Sequence, residues 1–155
     1  METEIEIIGP NDVGKLEQLV SIFRDVFETE DDKRPDNTYL QKLLHKDNFL
    51  AVVARVNGQI VGGLTVYLLD LYYSEKPLAY LYDIAVLTAY QRKGIGKKLI
   101  AFTLEYCRNQ GIEELFVQAE KADDHAISFY RMTQATREEQ VIHFSYTLRS
   151  ETEVY

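Results

Sequence analysis

The 155-residue chain has no tryptophan, one cysteine, three prolines, three histidines and two methionines. Each shortage closes a class. A single thiol, Cys107, excludes an internal disulfide and suits a reducing compartment, so a cytoplasmic location is expected. Three histidines and one cysteine at these spacings make no metal site. No run approaches the ~18 apolar residues of a membrane span. The acidic start, Met1-Glu2-Thr3-Glu4, lacks the basic and apolar parts of a secretory leader, so no membrane partner is expected. Cations are in deficit: 17 Lys and Arg against 25 Asp and Glu give a net charge of −8. That balance argues against nucleic acid as a partner and favours a cationic small molecule. Repeats, low-complexity segments and linkers are missing too, so residues 1–155 are expected to form one domain.

What is present alternates between two periodicities. Glu4 to Ile8 reads as a strand. Leu16, Leu19, Val20, Phe23, Val26 and Phe27 then recur at helical spacing after the turn Gly9-Pro10-Asn11-Asp12. Thr38 to Leu44 reads as a second helix. Phe49 to Val56 and Ile60 to Leu69 read as strands joined by Asn57-Gly58, a strong hairpin signal. Leu78 to Val86 is apolar on both faces, as a central strand is. Ile95, Leu99, Phe102 and Tyr106 give a long helix its inward stripe, stopped at Asn109-Gln110-Gly111. Leu115 to Ala119 is a strand and Asp124 to Met132 a helix. Ile142, Phe144, Tyr146 and Leu148 alternate with polar neighbours as a final strand. The fold class expected is α/β or α+β, a mixed and mostly antiparallel sheet flanked by helices.

The stretch Gln91-Arg92-Lys93-Gly94-Ile95-Gly96 lies between the apolar strand and the long helix. Two glycines let the backbone turn tightly and approach a ligand. The free amides and dipole of the helix N-terminus attract anions, and Arg92, Lys93, Lys97 and Lys98 surround them. In a −8 chain this gathering of cations calls for a pyrophosphate. It is neither a Walker A loop nor a dinucleotide fingerprint, since the Gly-Lys-Ser/Thr and the third glycine are missing. Its bland reading is a turn with solvated lysines.

Three further residues stand out. Asp83 is a carboxylate inside the apolar run Tyr80 to Val86, which costs several kcal/mol unless a pocket solvates it. Glu120 follows the next strand, where open sheets bind ligands. Tyr130 stands in the helix after Asp123-Asp124-His125. Each has an ordinary alternative: a hydrogen-bonded carboxylate, a strand-end charge, a core ring. Asp123 and Asp124 also read as helix caps worth ~1 kcal/mol. Cys107, among apolar neighbours, reads as a buried small hydrophobe.

Together these residues resemble the GNAT N-acetyltransferases, whose acetyl-coenzyme A loop has the form Gln/Arg-x-x-Gly-x-Gly/Ala. The elements Tyr82-Asp83-Ile84-Ala85-Val86, Arg92-Lys93-Gly94-Ile95, Val117-Gln118-Ala119-Glu120, Asp123-Asp124, Arg137-Glu138-Glu139 and His143-Phe144 are similar to the type I aminoglycoside 3-N-acetyltransferases. The likeness is densest over Tyr80 to Phe144. Met132-Thr133-Gln134 replaces the glycine common after the helical tyrosine, Glu120 stands where Asp is usual, and His125 where Pro is usual.

The resemblance implies a direct acetyl transfer from acetyl-coenzyme A to an amine in a ternary complex. It implies a bulge around Ile84 to Val86 whose amides hold the oxyanion or the pantetheine. It assigns Gln91, Arg92, Lys93, Gly94, Ile95, Gly96 and Lys97 to the coenzyme and Tyr130 to protonation of the thiolate. Asp83 and Glu120 become base and anchor, with Asp123 and Asp124 beside the acceptor. A homodimer is also compatible with it. The acceptor expected is an aminoglycoside amine. The alternatives are a polyamine, a protein or peptide amine, or a non-catalytic coenzyme A sensor.

Overall fold

The structure, a computed structural model, describes residues 1–30 and 33–150. Five strands form one sheet in the order β1-β2-β3-β4-β5: β1 Thr3–Ile7, β2 Phe49–Val56, β3 Gln59–Leu69, β4 Leu78–Val86 and β5 Leu115–Val117. The first four pair antiparallel, and β4 pairs parallel with β5. A parallel pair needs a crossover. Here it runs through a 3-10 turn, Thr88–Tyr90, and the long helix α3, Ile95–Asn109, which follow β4. Helices α1, Val13–Val26, and α2, Asn37–Leu44, cover the opposite face, and α4 spans Asp124–Arg131.

The two apolar layers follow from the alternation of β2. Val52, Ala54 and Val56 pack with Leu64, Val66, Leu81, Ile95 and Leu99 on the α3 side. Ala51 and Val53 pack with Leu16, Leu19, Ile22 and Leu40 on the α1 and α2 side. The expected α1 stripe holds at Leu16 and Leu19 and is joined by Ile22, whereas Phe27 lies half-exposed, stacked on Phe23 with centroids 5.6 Å apart. Asn57 and Gly58 both have positive φ, 51° and 78°, as a tight hairpin turn of this kind requires.

Two expectations are corrected. The irregularity in β4 lies at Tyr82, not around Ile84 to Val86. Thr65 pairs with Asp83 and Val66 with Leu81, so Tyr82 is the extra residue, while Ile84, Ala85 and Val86 pair in register with Leu64, Gly63 and Gly62. An unpaired residue at that point re-aims its neighbours. The second correction is the final strand. Residues 141–148 join no strand of the sheet, and Ile142, Phe144, Tyr146 and Leu148 are 77–95% exposed. Exposed charge pairs lie at the root of this segment. Arg131 grips Glu138 through two 2.9 Å hydrogen bonds, and Arg137 reaches Glu114 at 2.9 Å and Glu139 at 2.8 Å. Alternation describes what a strand would bury but cannot supply the edge it pairs with.

Candidate active site

The site is built where the sheet stops pairing. β5 meets β4 at Ala79, Tyr80 and Leu81, so from Tyr82 to Val86 the β5-facing edge of β4 has no strand beside it among the described residues. Among the described residues, alternate amides of this stretch face an edge that carries no strand. Strand β4 then delivers the chain to the glycine loop. Gln91 donates from Nε2 to the Val86 carbonyl at 2.8 Å and closes the turn. Arg92 and Gly94 both take left-handed backbone conformations, φ 61° and 84°, and Gly94 is the N-cap of α3. Left-handed residues in a turn gather successive N–H groups into an anion-binding concavity. The first-turn amides of α3, at Ile95, Gly96 and Lys97, have no partner within the helix.

The cations at this spot are uncommitted. Lys15, Arg55, Lys76, Arg108, Arg131 and Arg137 all pair with carboxylates. Among the described residues, Arg92, Lys93, Lys97 and Lys98 pair with none, and Lys93 lies over the Tyr90 ring at 5.7 Å. Loop amides, helix terminus and free cations together fit a pyrophosphate.

The two glycines do different work. A Cβ on Gly94 meets nothing within 4 Å, so the space above it is open to a ligand. A Cβ on Gly96 would lie 3.0 Å from the Phe129 ring. Gly96 therefore lets α4 approach the start of α3, and this contact carries the next residue, Tyr130, to the site. Gly94 is the clean place to test the loop. Asp and Asn share a shape and both tolerate positive φ, so strain cancels between Gly94→Asp and Gly94→Asn. The aspartate variant is expected to bind coenzyme A at least tenfold more weakly than the asparagine variant, ~1.4 kcal/mol. Equal affinities by calorimetry would remove the phosphate from this loop.

Tyr130 packs against the α3-side core and touches the Phe129 ring, with centroids 5.2 Å apart. Burial, helped by the Asp83 and Asp123 carboxylates, pushes its hydroxyl up to about 12. It is thus a neutral O–H donor across the physiological range. Asp83 is half-buried, and burial raises its carboxyl above the ordinary range. It makes no hydrogen bond or ion pair among the described residues. A raised carboxyl is a stronger base than a solvated one.

The structure brings Asp83, Tyr130 and Asp123 into one electrostatic neighbourhood. Asp123 also caps α4, accepting from the Ala126 amide at 3.0 Å. Glu120 and Asp124 lie exposed, in the turn after β5 and in the first turn of α4, and neither contributes to the shifts of Asp83 or Tyr130. Cys107 is buried, as expected of a small hydrophobe. Asp31 and Asp32, acids of the loop after α1, lie outside the described residues.

Sequence reading passed over an aromatic row beside Asp83. Phe49, Tyr67, Tyr82, Tyr80 and Phe116 follow one another with centroids 5.4, 5.7, 5.6 and 4.6 Å apart, the last pair stacked. The row crosses from β2 to β5. Tyr67 stands opposite Tyr80 and two positions along β3 from Thr65, the partner of Asp83, so the row and the carboxylate share a face. The signal was the placement of Tyr67, Tyr80 and Tyr82 in otherwise aliphatic strands, which only the register brings together.

The model of the Acetyltransferase (GNAT) family matches residues 16–133. The chain belongs to the GNAT acetyltransferase family. As a member it is an N-acetyltransferase whose co-substrate is acetyl-coenzyme A. Among solved structures, the aminoglycoside acetyltransferase meta-AAC0020 from an uncultured soil metagenomic sample, in complex with sisomicin, is 53% identical. That match covers 95% of this acetyltransferase and 97% of the other chain, with a TM-score of 0.93. The same protein in complex with trehalose gives 54%, 95%, 97% and 0.92. A second soil-metagenome aminoglycoside acetyltransferase, HMB0005, is 36% identical over 96% of this chain and all of its own, with a TM-score of 0.88. No curated protein matches the sequence.

Proposed function

We propose that this acetyltransferase transfers the acetyl group of acetyl-coenzyme A to the 3-amino group of an aminoglycoside, directly and within a ternary complex. The observation that carries the reading is an unpaired, half-buried carboxylate, Asp83, beside a row of five aromatic rings. An aminoglycoside combines ammonium groups with sugar rings. Asp83 offers an anion to the first, and the ring faces offer apolar and cation–π contact to the second. Sisomicin and trehalose, one a cationic aminoglycoside and one a neutral sugar, are the ligands of the 53–54% identical neighbour. The 3-amino position rests on the elements around Tyr82-Asp83, Gln118-Ala119-Glu120 and His143-Phe144 that resemble the 3-N subfamily.

The chemistry follows from the two shifted groups. The acceptor arrives as an ammonium, and Asp83 takes its proton, directly or through water. The freed amine attacks the thioester carbon while open amides of β4 stabilise the oxyanion. The C–S bond then breaks, the amide C–N bond remains, and the sulfur leaves as a thiolate. Tyr130, an O–H donor held at about 12, yields its proton only once charge has developed on sulfur. The nitrogen, cationic after attack, loses its second proton as the amide forms and that proton restores Tyr130, while the proton Asp83 took from the ammonium passes to water. Glu120, Asp123 and Asp124 extend the acidic surround for the remaining ammonium groups.

Thiol release from acetyl-coenzyme A, measured against aminoglycosides, polyamines and peptide amines, tests the substrate class. Turnover is expected with aminoglycosides alone, and NMR of the product should place the acetyl group on N3. Acetylation at the 6′-amine would reassign the position. Faster turnover of polyamines or peptides would replace the substrate, and no turnover with coenzyme A still bound would leave a sensor.

A further inference from the structure

We propose, on the aminoglycoside reading of the acceptor, that Gln118 donates a hydrogen bond to a ring hydroxyl of the substrate and so determines specificity at the β5 end of the aromatic row.

Gln118 stands where β4 and β5 part. Leu81 and Val117 are the last register pair, and β4 continues with Tyr82, the extra residue before Asp83. Gln118 is the next residue on the β5 side, so it flanks the gap at the level of Tyr82. Alternation puts it on the face of Phe116, two positions earlier. Phe116 stacks on Tyr80 with centroids 4.6 Å apart and ring planes 8° apart. The Tyr80 hydroxyl reaches the same place, donating to Gln118 Oε1 at 2.9 Å. Asp83 shares this face, through its partner Thr65 and the Tyr67–Tyr80 pair. One face of the gap therefore carries a carboxylate on the β4 side and a carboxamide on the β5 side.

The two sides ask for different groups. An ionised carboxylate only accepts, and an ammonium suits it. The Gln118 carbonyl is engaged by the Tyr80 hydroxyl, and that bond turns the carboxamide so that a ligand meets the donors on Nε2. Among the described residues no group accepts from Nε2. Burial raises the Tyr80 hydroxyl, so it keeps its proton and stays the donor of this pair. A hydroxyl oxygen can accept from Nε2, whereas an ammonium has no lone pair to offer. Aminoglycosides carry hydroxyls and ammonium groups on neighbouring ring carbons. Asp83 alone would attract any ammonium of such a polycation. A donor across the gap disfavours the poses that set a second ammonium at the β5 side, and so fixes which way round a ring lies on the aromatic row.

The test compares one aminoglycoside with analogues that lack each of its ring hydroxyls in turn, by kcat/KM, in the parent, Gln118→Leu, Gln118→Glu and Tyr80→Phe. In the parent, loss of one particular hydroxyl should cost about tenfold, the worth of one good neutral hydrogen bond, and mainly through KM. Both Gln118 variants should show that loss with the intact substrate and then be indifferent to removal of the hydroxyl, since a cycle of this kind isolates one contact. Tyr80→Phe should narrow the discrimination at the same position, because the carboxamide is then free to turn. With an amine in place of that hydroxyl, Gln118→Glu should discriminate less against it than the parent does. Gln118 is exposed, so its variants should melt like the parent. A parent indifferent to every deoxygenation overturns the contact, as does a Gln118→Leu variant that keeps the discrimination. An equal loss across all analogues in both Gln118 variants also overturns it and makes the residue a support for the Tyr80 ring. No turnover of any aminoglycoside by the parent would overturn the acceptor reading, and this contact with it.

Discussion

Asp83→Asn is expected to lower kcat/KM for an aminoglycoside at least 100-fold, ~2.7 kcal/mol of transition-state stabilisation, while coenzyme A affinity stays at the parent value. Asparagine keeps the shape of the side chain and cannot accept a proton. The phosphates, which on the proposed reading lie at the Arg92 to Lys97 end of the loop, should not sense the change. A pH profile adds a second signature. Burial raises the Asp83 carboxyl, so in the parent kcat/KM should climb with pH through a value above the usual carboxylate range, and the asparagine variant should lack that limb. Stability moves the other way. A carboxyl raised in the folded state holds its proton more tightly there than in the unfolded chain. Its contribution to stability is therefore greatest in acid and is lost as pH rises through the folded value. The asparagine variant should accordingly melt no lower than the parent at neutral pH. Activity that falls only in step with melting temperature would make Asp83 a structural residue. Retained activity in Asp83→Asn with loss in Glu120→Gln would hand the base to Glu120.

Tyr130→Phe is expected to cut kcat by about 10- to 1,000-fold, the range in which a positioned acid acts. Coenzyme affinity should hardly move. The substitution keeps the ring against Phe129 and the core, and the hydroxyl it removes has no hydrogen-bond partner among the described residues. Little stability is therefore at stake, and the two roles separate cleanly. With the hydroxyl held at about 12, Tyr130 should impose no loss of protonated donor below that pH. Single-turnover acetyl transfer on the purified variant decides the matter, and a parent-like rate would reduce Tyr130 to packing.

The layers of this fold were legible because their residues carry their own periodicity. Leu16 and Leu19 mark α1, Ile95 and Leu99 mark α3, and Asn57-Gly58 marks the hairpin before any partner is known. The glycine loop was legible for a similar reason, since its cations and backbone requirements are local. What stayed hidden depends on who faces whom. The extra residue at Tyr82 exists only relative to β3. The aromatic row assembles from β2, β3, β4 and β5. Gly96 looked like a phosphate glycine because the ring of Phe129 it accommodates lies over thirty residues further on. The segment 141–148 shows the limit of pattern most plainly, because its alternation is that of a strand and it pairs with none among the described residues.

The gap between β4 and β5 also bears on how long the molecule survives. From Tyr82 to Val86 one side of the penultimate strand is left without a neighbour among the described residues. A coenzyme arm lying there takes the place of a missing strand. A ligand that binds only the folded chain adds its binding free energy to folding, ~2.7 kcal/mol at a hundred times its dissociation constant. Against a total stability of roughly 5–15 kcal/mol for an ordinary domain, that is a large share. On the proposed coenzyme reading the acetyl donor is more than a reagent: the melting temperature should rise with its concentration, and its supply should set the unfolded fraction exposed to proteases.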